Sequence, residues 1–290
     1  DYTAINEMIH HGLGNLQEVS ALALKATVDI DMMGQGYIGT LGKSLKEGKV
    51  SQADIDNACR RVLEAKYKLG LFSDPFKYFN EKKAEKIILS EEHLRVAREI
   101  SARSIVLLKN KNQLLPLSKK SKIAVIGPLA DSKLDMLGTW AITDDTSKVV
   151  TILEGIQQAV ESKGQVYYAK GSYATMDTFL LNRNIGNRPR ITRSEKKRQE
   201  MLREAKEVAE NAEIIVAVLG EPRAWSGEAS SMANISLAEC QKELLKEMLA
   251  TGKPVVLVLA NGRPMTIAWE NENVPAIIEA WHGGTMAGAG

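Results

Sequence analysis

Cysteine is scarce in this chain. Two residues, Cys59 and Cys240, cannot build a disulfide framework and leave the redox compartment open. Four histidines, two of them adjacent at His10 and His11, form neither an HExxH nor a paired CxxC arrangement, so no metal and no cofactor is expected. Apolar runs of bilayer length are missing too. "VVLVLA" and "EIIVAVLG" are strand-sized, and no membrane partner is expected. Charge of one sign is not in excess: the formal balance is +2 over 290 residues. Nucleic-acid binding rests on concentrated basic surface, so it is not expected either. The sequence also starts at Asp1 without methionine or a charged-then-apolar segment, and it stops just after a strand-like run. Both ends read as those of an internal piece of a longer protein.

What is present is an ordinary globular composition, 44% apolar and 26% charged. Residues 4–11 and 15–26 carry helical spacing. "TVDIDMM" (27–33) reads as a short strand, and "GTLGKSLKEGKV" as a helix and turn. Ser51 is a good N-cap, Asp54 completes a capping-box pattern, and Gly70 is placed to end the helix between them. The charged stretch from Ser73 to His93 lacks periodicity and reads as an interdomain linker. Ser90 then starts a helix reaching about Arg103. "SIVLLKN" and "LLPL" follow as extended segments.

From "KIAVIG" (122–127) onward, strand-like runs alternate with helices: "GQVYYAKG", "EIIVAVLG", "PVVLVLA" and "PAIIEAW" against three amphipathic stretches. That alternation predicts a mostly parallel sheet covered on both faces. Residues 176–193 interrupt it as a polar, basic excursion.

Two stretches attract chemical attention. "GQGYIG" (34–39) matches GxGxxG after a predicted strand, but the acidic residue wanted about twenty positions on should end a second strand. Asp54 and Asp56 start a helix instead, so a glycine turn fits better than a nucleotide site. "EPRAWSGEASS" (221–231) places Glu221 and Glu228 seven residues apart around Trp225, after a predicted strand. Parallel sheets bind ligands at their carboxyl ends, and sugar rings stack on exposed indoles. Solvated loop carboxylates are the plain alternative. Trp140, in "MLGTWAI", is a second tryptophan that reads as core, and "NGRP" (261–264) as a plain strand-to-helix connection.

Longer motifs carry a family resemblance. "GKVSQADIDNACRRVLEAKYKLGLF", "AREISARSIVLLKNKNQLLPL", "KIAVIGPLAD", "YAKG", "VAVLGE", "GEASS", "GKPVVLVLANGRP" and "IIEAW" occur in the order found in glycoside hydrolase family 3. The chain resembles that family's periplasmic β-glucosidase branch over nearly its whole length. The resemblance implies an α/β fold: the C-terminal end of a (β/α)8 barrel over 1–75, an interdomain linker and helix over 76–103, and a mostly parallel, incomplete α/β sandwich domain over 104–290.

It also implies retaining, exo-acting cleavage through a covalent glycosyl-enzyme. "DYTAINEM" fits the motif S-D-[WYH]-x-A-x-x-x-[LM] from its second position, which puts Asp1 on the nucleophile. The "EASS" match puts Glu228 on the acid/base, with Glu221 as the alternative acid. "TVDIDMM" becomes the eighth barrel strand, with Asp31 and Met33 as substrate contacts beside "GQGYIG". Trp140 falls where relatives carry an aromatic flanking the leaving group, and Trp225 joins it as a candidate contact. A retaining pair needs its carboxyls about 5–5.5 Å apart. The implied partner is an oligosaccharide or aryl β-glycoside; a homodimer is left open, and the implied location is periplasmic or secreted. The competing class is a non-catalytic α/β ligand-binding module. An N-acetylhexosaminidase or phosphorylase of the same family fits less well: the usual hexosaminidase members carry the acid/base as a barrel histidine and often lack the second domain, whereas the resemblance implies that domain here, with its Glu loop.

Overall fold

Along "IIVAVLG" (214–220), alternate side chains enter two different cores, and this explains the run's unbroken apolarity. Ile215, Ala217 and Leu219 pack into one core and Val216 and Val218 into the other, all buried. The computed structural model describes residues 1–162, 165–182 and 189–290. The chain forms two compact units, Asp1–Glu85 and Lys86–Gly290.

The second unit is built on a six-stranded sheet: β1 (Val106–Asn110), β2 (Ile123–Ile126), β3 (Val166–Ala169), β4 (Ile214–Gly220), β5 (Val255–Ala260) and β6 (Ala276–Glu279). The order is β1-β6-β5-β4-β2-β3. β2 to β6 run parallel, and β1 pairs antiparallel with β6. The chain steps outward from β2 to β3, then returns to lay β4 on the other side of β2. That reversal makes a switch point between β2 and β4, where the carboxyl-end loops diverge and leave a crevice.

Twelve α-helices are described: α1 (Ala4–His10), α2 (Leu16–Lys25), α3 (Gly36–Lys46), α4 (Gln52–Lys68), α5 (Glu81–Ile87), α6 (Glu91–Ser104), α7 (Lys133–Met136), α8 (Ile152–Ala159), α9 (Thr178–Asn182), α10 (Glu195–Glu210), α11 (Glu239–Ala250) and α12 (Ala268–Asn273). α10 and α11 cover one sheet face with Leu202, Ala205, Leu244, Leu245 and Met248. The other face is covered by Met136 of α7 and by Ile152 and Leu153 of α8, with Leu129 and Val149 from the flanking loops. The expected two-faced, mostly parallel sheet is what forms.

The first unit is helical. Ile5, Val19 and Ala23 make one small core, and Ala21, Leu24, Val50 and Ala58 make another. Ser51 and Asp54 form the reciprocal capping box at the start of α4. Gly70, after its end, has φ 75°.

Three expectations need correction. The 27–33 run is not a strand: only Met32 pairs, in a single parallel bridge to Tyr2. Among the described residues of 1–85 no further pairing lies beside that bridge, so no strand ladder forms there. The expected linker contains α5 within its charged stretch. "LLPL" joins no strand; Asn110 instead caps it, exchanging side-chain hydrogen bonds with the backbone N–H and carbonyl of Leu115. The excursion 176–193 is described only in part: α9 occupies 178–182, and 183–188 lie outside the described residues.

Candidate active site

Two loops border the switch point. The connection after β2 carries Trp140 just beyond α7, and the loop after β4 carries Glu221, Trp225 and Glu228. β4 ends on Gly220, whose φ is 139° and where a Cβ would overlap the carbonyl of Ala260 on β5. The strand can therefore turn away from the sheet only with a glycine there. Gln241 of α11, fully buried, fixes that turn: its Oε1 accepts from the Gly220 N–H at 2.9 Å, and its Nε2 donates at 2.7 Å to the carbonyls of Gly220 and Ala174.

Glu221, next in the chain, is 2% exposed. Arg263 Nε donates to its Oε2 at 2.9 Å, and Arg263 Nη2 donates to the Ser230 carbonyl at 3.0 Å. His282 Nε2 donates to the Glu221 carbonyl at 3.0 Å. A buried carboxylate already engaged by a guanidinium is placed as an anchor rather than as a group free to reach a substrate.

Glu228 has the opposite environment. It is exposed at the loop tip between Gly227 (φ 111°) and Ala229 (φ 53°). Its carboxylate makes no hydrogen bond or ion pair to the described residues. The tip is held from its base instead. Asp135 Oδ1 accepts from Arg223 N–H at 2.9 Å, and Asp144 Oδ1 accepts from Arg223 Nη2 at 2.6 Å. Thr139 Oγ1 donates to the Arg223 carbonyl at 2.5 Å and lies 2.8 Å from Ser226 Oγ.

A Cβ on Gly227 would overlap Thr139 Cγ2 and stand 3.8 Å from Trp140 Cε2. The structure thus sets the backbone beside Glu228 against Trp140, which is 72% exposed rather than core. Trp225 is packed rather than displayed, at 9% exposed, so the exposed indole expected of it belongs to Trp140.

In the first unit, Tyr2 bridges Met32, so Asp1 stands beside the Asp31–Met33 backbone, and the Thr3 N–H donates to Met32 O at 2.8 Å. Asp1 is exposed, its Oδ1 accepting from Tyr2 N–H at 2.7 Å. Met33 is 63% exposed with φ 62°.

Asp31 takes the N-terminus of α3: its Oδ2 accepts from Gly36 N–H at 2.6 Å and Tyr37 N–H at 3.2 Å. The amides that a GxGxxG turn would offer a phosphate are occupied by the protein's own carboxylate. Tyr37 donates to the Val28 carbonyl at 2.5 Å. Burial, reinforced by nearby Asp31 and Asp29, pushes its hydroxyl up to about 12. Asp1 lies in one unit and Glu228 in the other.

Known proteins resemble this chain along nearly its whole length. Residues 105–290 match the family model for the glycosyl hydrolase family 3 C-terminal domain. The chain belongs to glycoside hydrolase family 3. The periplasmic β-glucosidase of Salmonella typhimurium is 39% identical over 99% of this chain and 38% of its own length. A β-xylosidase of Formosa agariphila is 34% identical over 97% of this chain and 38% of its own. The crystal structure of a β-glucosidase from Listeria innocua in complex with isofagomine matches all of this chain and 37% of that one, at 36% identity and a TM-score of 0.85. The chain therefore spans less than two fifths of each of these three relatives, and its sheet is consistent with the family's C-terminal α/β sandwich domain.

Sequence reasoning missed Arg263, Gln241 and Thr139. Gln241 had a readable signal: it shares the 241, 244, 245, 248 stripe with Leu244, Leu245 and Met248, where an uncharged amide asks for a buried partner. Arg263 sits in "NGRP", a stretch whose plain reading as a connection hides a half-buried cation paired with Glu221.

Proposed function

We propose that the protein containing this chain is a retaining, exo-acting β-glycosidase, a β-glucosidase or β-xylosidase, that removes terminal non-reducing β-linked sugars in the periplasm or outside the cell. Residues 1–75 are read as the end of its catalytic barrel, 76–103 as a linker and helix, and 104–290 as its second domain. Asp1 is the nucleophile and Glu228 the acid/base. Asp1 attacks the anomeric carbon while Glu228 protonates the departing oxygen; water then resolves the glycosyl-enzyme with Glu228 as base. Trp140 takes the leaving-group side.

The observation that carries the assignment of Glu228 over Glu221 is their contrast in environment. Glu221 is buried against Arg263, and Glu228 is exposed on a loop tip whose base is fixed. Membership of the family and the named glycosidases among the relatives support the reaction class. The Listeria innocua relative has been solved with glucose, which supports a sugar of that size.

The test is hydrolysis of p-nitrophenyl β-glucoside, β-xyloside and α-arabinoside by the complete protein, followed by NMR of the first-formed anomer. Release of the β-anomer from a β-glycoside is expected. An inverted product, or no hydrolysis of any glycoside, would end the proposal.

A further inference from the structure

Thr139 occupies a position that the acid assignment leaves unexplained. Its single hydroxyl proton is committed to the Arg223 carbonyl at 2.5 Å, so Ser226 Oγ, 2.8 Å away, is the donor in their contact. One side chain on the Trp140 loop thus ties down both ends of the 223–226 turn, which leads directly into Gly227 and Glu228. Its methyl lies under Gly227, where any Cβ would overlap it. Ser226 is itself 8% exposed, so water does not compete freely for this contact.

We propose that Thr139 is a positioning residue that couples the leaving-group platform to the acid: it holds the Glu228 tip in fixed register with Trp140, so that an aglycone seated on the indole meets the carboxyl at proton-transfer distance. The inference rests on the reading of Glu228 as acid/base. The turn has a second tether through Arg223 to Asp135 and Asp144, but both bonds end on residue 223, four residues before Gly227 on the far side of Ser226. On the N-terminal side of the tip, control passes through Thr139 and Ser226, while Arg263 holds the C-terminal side at the Ser230 carbonyl. A displaced carboxyl loses proton-transfer efficiency while leaving sugar binding untouched, and a misplacement of about 1 Å can cost about a hundredfold.

The consequence is selective. Substrates with poor leaving groups need protonation, whereas activated aryl glycosides depart without it. In the complete protein, Thr139→Val keeps the side chain's shape and removes the hydroxyl. It is expected to lower kcat/KM about tenfold or more on an alkyl β-glucoside or a disaccharide, through kcat, with about twofold or less change on a 2,4-dinitrophenyl glycoside. Thr139→Ser, which restores the hydroxyl, should recover most of the loss. In a Glu228→Gln background, Thr139→Val should add nothing, since both changes act on one proton transfer.

Equal loss on both substrates, no loss on either, or an additive loss in the Glu228→Gln background would overturn the coupling. Ser226→Ala provides a second arm should Thr139→Val fold poorly, with the same selectivity at smaller size; equal loss on both substrates counts against the proposal there too. Glu228→Gln alone separates the two ideas. If it shows no leaving-group selectivity, the acid assignment itself has failed. If it is selective and Thr139→Val is not, only the coupling has failed.

Discussion

Arg263 Nε lies 2.9 Å from Glu221 Oε2 at the ends of neighbouring strands, and the Glu221 carboxylate is nearly fully buried there. The same guanidinium reaches over to the carbonyl of Ser230. One ion pair therefore closes the base of the Glu228 loop and joins it to the loop after β5. Removing the guanidinium from such a pair leaves the buried carboxylate without its Arg263 contact, and breaking a buried pair costs more than the pair itself contributes. Arg263→Met should lower unfolding stability by about 3 kcal/mol or more in urea titration. A change below about 1 kcal/mol would show that the Arg263 pair is not what holds the base of the loop.

Gln241 makes a different kind of connection. Replacing it with leucine leaves the N–H and carbonyl of Gly220 and the carbonyl of Ala174 without their amide partners. Each unsatisfied buried group costs about 1–3 kcal/mol, so Gln241→Leu should destabilise by about 3 kcal/mol although it adds apolar volume to an apolar stripe. Chemical denaturation reads this directly; a stabilised variant would show that the turn after β4 does not depend on the amide.

Glu279 gives a pH dependence. Burial is the largest influence on its carboxyl and raises it above the ordinary value of 4.5, outweighing the hydrogen bonds from the Trp281 N–H and Asn261. A carboxyl raised on folding binds its proton more tightly in the native state, so its contribution to stability is fully present below about pH 4.5 and is lost as pH rises through the raised value. Glu279→Gln should flatten the stability profile just above pH 4.5 and stabilise the protein at neutral pH. A profile with the same slope in both proteins would refute the shift.

At Asp31 the structure and the resemblance give separable expectations. As the cap of α3, Asp31→Ala should cost about 1 kcal/mol of stability and Asp31→Asn much less, since asparagine also accepts from N-terminal amides. As a sugar contact, Asp31→Asn would lower kcat/KM in the complete protein at unchanged melting temperature. Thermal melts beside steady-state kinetics on the two variants distinguish the roles.

The sheet was legible because its signals are local. Continuous apolar runs such as "VVLVLA" and "IIVAVLG" follow from burial on both faces, and the Ser51–Asp54 cap follows from hydrogen bonds three residues apart. The 27–33 segment misled because β-branched content reports a preference for extended backbone, whereas a strand also needs a neighbour, and Met32 has only Tyr2. The site was half legible. Glu221, Glu228, Trp140 and Trp225 can be found by motif, but their exposures cannot. Which indole is displayed and which carboxylate is buried depend on Arg263 and Thr139, which are 42 and 84 residues distant from their partners Glu221 and Arg223.

The most direct test of the account compares Glu228→Gln with Glu221→Gln in the complete protein, on a 2,4-dinitrophenyl glycoside and on the disaccharide of the same sugar. Glu228→Gln should lose about a hundredfold or more in kcat/KM on the disaccharide and far less on the activated substrate. Glu221→Gln should lose equally on both and melt at lower temperature. The reverse pattern, with leaving-group selectivity in Glu221→Gln and none in Glu228→Gln, would contradict the account and move the acid to the buried end of β4.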